Sequence, residues 1–123
     1  MISFENFVMV DGVPIYLQII RFIKRGIAAG TIKDNDEMPS RRVLSALLGV
    51  NPNTIQKAYR MLEEEELITS RSGAKSYIFA DDAKAEAVRK ELITQDVGAI
   101  VEAMKQMGME KEKALELIEQ LWK

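Results

Sequence analysis

Apolar residues return at helical spacing in five stretches of the chain. From Pro14 onward, Tyr16, Ile19, Ile20, Ile23 and Ile27 share one face, Arg21, Lys24 and Arg25 point away from it, and Gly30 ends the run. Gly26 is tolerated within that helix. After a polar loop over residues 31–37, Ser40 can cap a short helix with Val43, Leu44, Leu47 and Leu48 on one face. Gly49 permits the left-handed turn that stops it. The chain then restarts at once: Asn51 is a capping residue, Pro52 takes the first helical position where its missing N–H costs nothing, and Ile55, Ala58, Tyr59 and Leu62 recur toward a core. Two capped helices joined so tightly predict a helix-turn-helix.

Past Leu62 the period changes. The acidic run Glu63 to Glu66 leads into Leu67-Ile68-Thr69-Ser70-Arg71, then a turn at Ser72-Gly73-Ala74-Lys75, then Ser76-Tyr77-Ile78-Phe79-Ala80. Two short β-prone runs around a glycine-containing basic turn predict a hairpin, and a hairpin directly after a recognition helix is a wing. Residues 1–12 alternate loosely, with Phe4, Phe7, Val8 and Val10 among polar positions, and predict an extended arm. Residues 1–80 thus read as a winged helix-turn-helix domain with an N-terminal arm.

Asp81-Asp82 marks a boundary, with Asp82 the expected cap of a long helix over residues 83 to about 107. Its second half carries Ile93, Val97, Ile100, Met104 and Met107 at alternating steps of four and three, the spacing of a helix packed lengthwise on another. Gly108 breaks it, and a shorter helix from about Glu110 presents Leu115, Ile118, Leu121 and Trp122. Residues 81–123 are therefore expected to form a helical hairpin too small to bury its own apolar faces. An identical unit would cover them and make a twofold dimer; folding back onto the winged-helix core is the other solution. The fold class is mostly α with a small β-hairpin: a winged helix-turn-helix followed by a two-helix dimerisation appendage.

Composition narrows the chemistry. At 123 residues and 47% apolar content the chain can build a real core. It contains no cysteine and no histidine, which removes disulfides, thiolate zinc sites, cysteine nucleophiles and the commonest general base. No paired-acid constellation, nucleophile elbow or phosphate-cradling glycine loop takes their place. An enzyme is not expected, nor a metal or cofactor. No stretch is apolar and long enough to span a bilayer and the start lacks a signal core, so a cytoplasmic location is expected.

The formal charge of −2 argues against nucleic acid until its distribution is considered. From Pro14 to Ala80 there are ten Lys/Arg against seven Asp/Glu, a net +3, while the acidic balance lies in the flanks. Four of those seven acids are the run at the end of the recognition helix, where a helix leaves the groove and where Arg60 can pair with Glu63 or Glu64. A merely solvated helix end fits that run equally well. On the polar face of the same helix, Asn53, Gln56, Lys57 and Arg60 can contact base edges and phosphates if its first turns enter a major groove. Polar residues also cover the outer face of any small helical protein.

The segment Pro14-Ile15-Tyr16-Leu17-Gln18-Ile19, then Met38-Pro39-Ser40-x-Arg42-x-Leu44, then Gly49-Val50-Asn51-Pro52-Asn53-Thr54-Ile55 followed by Ala58-Tyr59 and Leu62-Glu63 resembles the GntR family of bacterial transcription regulators. The short two-helix C-terminal part resembles its small YtrA-type branch. That resemblance implies a homodimeric, often self-repressing regulator, frequently encoded beside an ABC transporter. It places DNA contacts at Arg42, Asn51, Asn53, Thr54, Gln56 and Lys57, with Arg41 and Arg60 as further candidates. The chain departs from the family in two places: Glu66 stands where glycine is usual, and Gly73-Ala74-Lys75-Ser76 replaces Gly-x-Gly-Thr in the wing. Lys75 would offer charge to a phosphate or groove where a glycine lets backbone approach.

The partners expected are a double-stranded DNA operator and a second copy of the chain. Met104, Met107 and Met109 are the residues to ask about for a small-molecule effector, although methionine at helical spacing is more often ordinary core. The alternative function is a winged-helix module that binds protein without reading DNA, which the net acidity favours.

Overall fold

Among the described residues, side-chain caps open three of the five helices. In the computed structural model, which describes every residue except Ser72 and Ala74, the order is α1 (Ile15–Ala29), α2 (Arg41–Leu48), α3 (Pro52–Glu64), β1 (Ile68–Ser70), β2 (Ser76–Ile78), α4 (Asp82–Gln106) and α5 (Lys111–Leu121). Ser40 Oγ accepts the Val43 N–H at 3.1 Å to open α2, and Gly49 closes it in the left-handed region at φ 67. Pro14 precedes α1 and Gly30 ends it. The long helix is capped one residue earlier than its sequence suggests. Asp81, not Asp82, accepts the Lys84 N–H at 2.8 Å, so Asp82 is already helical.

The chain divides into two compact units, Met1–Arg89 and Lys90–Lys123. In the first, α3 packs against α1, α2 and β1. Ile19, Ile23, Ile55, Ala58, Tyr59 and Leu62 are buried in its core. At about 2 kcal/mol for each large apolar side chain, this burial outweighs any surface ion pair on the same helices. Tyr16, expected in the core, is only half-buried. The arm differs from the extended segment predicted: it turns at Glu5 and Asn6, and Phe4 stacks on Phe22 of α1 at 4.7 Å between ring centres, with Phe7 edge-on to both. Gln18 holds the arm's far end by accepting the Val10 N–H and donating to the Val10 and Val13 carbonyls.

Three other expectations are corrected. Val43 and Leu47 are 56% and 65% exposed, because in an eight-residue helix only the row through Leu44 and Leu48 turns inward, and its neighbour lies 100° around the axis. Lys24, expected outside, is buried with its Nζ 2.8 Å from Glu65. Gly26 is required rather than tolerated. A Cβ there would lie 2.3 Å from Ile32 Cδ1, whose N–H returns to the Gly26 carbonyl at 3.0 Å.

The hairpin is antiparallel, with Ile68 opposite Ile78 and Thr69 opposite Tyr77. Its second strand is also stitched to the loop before α2: Ile78 N–H donates to Asp36 O at 2.8 Å and Met38 N–H to Ser76 O at 2.9 Å. The wing therefore shares its base with the entry to the helix-turn-helix. Gly73 lies at the turn, whose Ser72 and Ala74 fall outside the described residues.

In the second unit, α5 has no buried residue. Ile93, Val97, Ile100, Met107, Leu115, Ile118, Leu121 and Trp122 are exposed, as are Val101 and Leu117, while Met104 is half-buried. Among the described residues no helix is long and apolar enough to cross a membrane.

Candidate nucleic-acid interface

The recognition helix begins three residues after Gly49 because its start is fixed from both sides. Ser45 Oγ donates to the Val50 carbonyl at 2.7 Å, and Asn51 Oδ1 accepts the Asn53 N–H at 2.8 Å. Pro52 then occupies the first helical position. With Ile55, Ala58, Tyr59 and Leu62 buried, Asn53, Gln56, Lys57 and Arg60 are left exposed together, at steps of three and four along one face. Asn51 is exposed and Thr54 half-buried. The side-chain amides of Asn53 and Gln56 can both donate and accept toward base edges.

The cations around this face differ in what they are free to do. Arg42 is exposed at the start of α2. Arg41 is half-buried: its Nη2 lies 2.8 Å from Glu63 Oε1, and its guanidinium lies 4.9 Å from the Tyr59 ring centre. Lys57 Nζ sits 4.1 Å over the Tyr16 ring, which holds the ammonium at the surface. Arg60 pairs loosely with Glu64 at 3.7 Å, both exposed, a contact of little energetic consequence.

Three members of the acidic run are thus matched by cations from three helices: Glu63 by Arg41, Glu64 by Arg60 and Glu65 by Lys24. The fourth, Glu66, takes the chain out of α3 at φ 59, in the left-handed region that L side chains rarely enter. The departure from glycine noted at this position is therefore a residue kept in a glycine's conformation. Tyr59 completes the arrangement, its hydroxyl donating to the buried Pro39 carbonyl. Burial pushes the Tyr59 phenol well above its usual range, an effect the neighbouring Arg41 charge opposes, so the donor stays protonated.

On the wing, Lys75 is exposed and shares a cleft of about 140 Å³ with Ser40 and Val43, so the charged wing lies beside the opening turn of α2. Arg71, which sequence reasoning left out, lies 4.4 Å from the Tyr77 ring centre and donates to Asn35 Oδ1. It braces the wing's base. The only sign of this in the sequence was a basic residue ending a strand near an aromatic one.

A recognition helix seated on a three-helix core, with a basic wing beside its partner helix, defines a winged helix-turn-helix transcription regulator rather than an enzyme. The chain belongs to the gntR family of bacterial regulatory proteins, which it matches over residues 15–78. It is similar to the transcriptional repressor YtrA of Bacillus subtilis, with 34% identity over 110 residues that cover 88% of this chain and 84% of that protein. The solved structure of a GntR family transcriptional regulator from Listeria monocytogenes superposes with a TM-score of 0.83 at 34% identity, covering 92% of this chain and 99% of that one. The DNA-binding domain of AraR, solved in complex with its operator ORX1, matches at 26% identity and a TM-score of 0.50, covering 62% of this chain and 92% of that one.

Proposed function

We propose that this regulator is a cytoplasmic, homodimeric repressor that binds a palindromic operator by inserting the first turns of α3 into the major groove. The observation that carries this reading is the exposed row Asn53, Gln56, Lys57 and Arg60 over a fully buried opposite face. In this reading Asn53 and Gln56 read bases, Asn51 and Thr54 contact the backbone at the groove's edge, and Arg42, Lys57, Arg60 and Lys75 hold phosphates. The operator complex of AraR supports DNA as the partner, and the likeness to YtrA supports repression. Control of its own operon and of a neighbouring ABC transporter rests on the YtrA-type resemblance.

The labour divides between residues 1–80, which read DNA, and residues 81–123, which pair two copies. The exposed Ile93, Val97, Ile100 and Met107 of α4 and the Leu115, Ile118, Leu121 and Trp122 of α5 support this, since an apolar surface of that extent needs a cover. A twofold pair would present two recognition helices about 34 Å apart, one turn of DNA. Selection of duplexes from a random-sequence pool by the full chain tests the proposal. The expected outcome is an inverted repeat with half-sites one turn apart and two chains per duplex; no enrichment, or a single site bound by one chain, contradicts it.

A further inference from the structure

Neighbouring arginines at the start of α2 have different surroundings. Arg42 is open to solvent, whereas Arg41 reaches Glu63 at 2.8 Å across 22 residues of sequence and lies over the Tyr59 ring. Arg41 Nε is buried and, among the described residues, has no hydrogen-bond partner, so the half-buried guanidinium is turned toward α3 without being fully satisfied there. The pair joins the first turn of α2 to the last turn of α3. Glu63 lies seven residues from Gln56, about 10 Å along the helix axis, so each few degrees of swing at this end displaces the reading end by a sizeable fraction of an ångström.

We infer that Arg41 and Glu63 are positioning residues for operator recognition: their ion pair, laid over Tyr59, sets the angle between α2 and α3, and Arg41 makes no phosphate contact. The inference rests on the reading of α3 as the operator-reading helix and reassigns a residue that sequence alone groups with the DNA contacts. Its consequence runs against simple electrostatics. A carboxylate on a helix that approaches DNA should repel phosphate, so deleting it should tighten binding. If Glu63 holds the helix, deleting it weakens binding instead.

The test uses the full chain and duplexes that the wild type selects from a random-sequence pool, with affinity measured over a range of salt. Glu63→Ala is expected to lower operator affinity about threefold to tenfold, and Arg41→Met to do the same, in the range of coupled neighbouring residues. The slope of log affinity against log salt should be unchanged in Arg41→Met, whereas Arg42→Ala should flatten it by about one contact. The exchange of both charges, Arg41→Glu with Glu63→Arg, should recover affinity to within about threefold of wild type. Unchanged or tighter binding by Glu63→Ala, a flattened slope in Arg41→Met, or an exchange no better than the weaker single variant overturns the inference. Should either single variant lose its fold by circular dichroism, the exchange decides. A wild type that enriches no sequence contradicts operator reading itself, and the Arg41→Met salt slope on random duplex still judges whether that arginine touches phosphate.

Discussion

Lys84 Nζ, in the first turn of α4, donates a 2.6 Å hydrogen bond to the backbone carbonyl of Glu66, the residue at which the chain leaves the recognition helix. The same ammonium lies 4.3 Å over the Phe79 ring. The start of the long helix is thereby tied to the end of the reading helix through a residue in the left-handed region at φ 59. The bond uses a main-chain oxygen, so the side chain at position 66 can change without losing it.

Glu66→Gly should therefore stabilise the first unit. The left-handed conformation costs an L residue about 1–2 kcal/mol, and the extra unfolded-state freedom of glycine returns about 0.5–1 kcal/mol of that. A net gain of about 0.5–1 kcal/mol is expected, read as a rise of a few degrees in the thermal midpoint. A lower midpoint would mean that the carboxylate contributes more than its backbone costs.

Gly26→Ala should do the opposite. The added methyl would meet Ile32 Cδ1 at 2.3 Å and Cγ1 at 2.6 Å, too close for the tip of the side chain alone to move aside. A loss of about 1–3 kcal/mol is expected from overpacking. Combining it with Ile32→Ala should cost less than the sum of the two single changes, because the second removes the atoms that the first collides with. Strict additivity in urea unfolding would contradict the close approach.

Much of this was legible in advance where physics is local. Ser40, Gly49, Asn51 and Pro52 act on the residues beside them, so the bounds of α2 and the start of α3 follow from the sequence, as does the exposed row Asn53, Gln56, Lys57 and Arg60 once the opposite face is apolar. What was not legible depends on neighbours distant in sequence. Periodicity cannot say which of two adjacent rows of α2 meets α3, and it is the row of Val43 and Leu47 that faces solvent. Lys24 and Glu65 are 41 residues apart, and nothing local distinguishes a lysine that will find such a partner from one on a solvated face. Gly26 is needed only because Ile32 returns against it, and the arm folds back because Phe4 and Phe7 find Phe22.

Ile100→Glu addresses the pairing of two copies. Ile100 is exposed in the middle of the α4 stripe, so a carboxylate costs the isolated chain little but would be buried and unpaired in a twofold interface built on that stripe. Sedimentation of the full-length variant should find a monomer with an unaltered helical spectrum and a weakened hold on a two-half-site duplex. A variant that sediments as a dimer would place the interface elsewhere.

The central claim, that the exposed face of α3 reads sequence, is tested most directly by the ratio of affinities for selected and scrambled duplexes in Gln56→Ala. Gln56 is exposed, and among the described residues its side chain has no hydrogen-bond partner in the chain, so its loss should leave the fold and the phosphate contacts intact. Affinity for the selected duplex should fall by about 1–3 kcal/mol while affinity for the scrambled one stays within error. Equal losses on both duplexes, or no loss on either, would contradict the account.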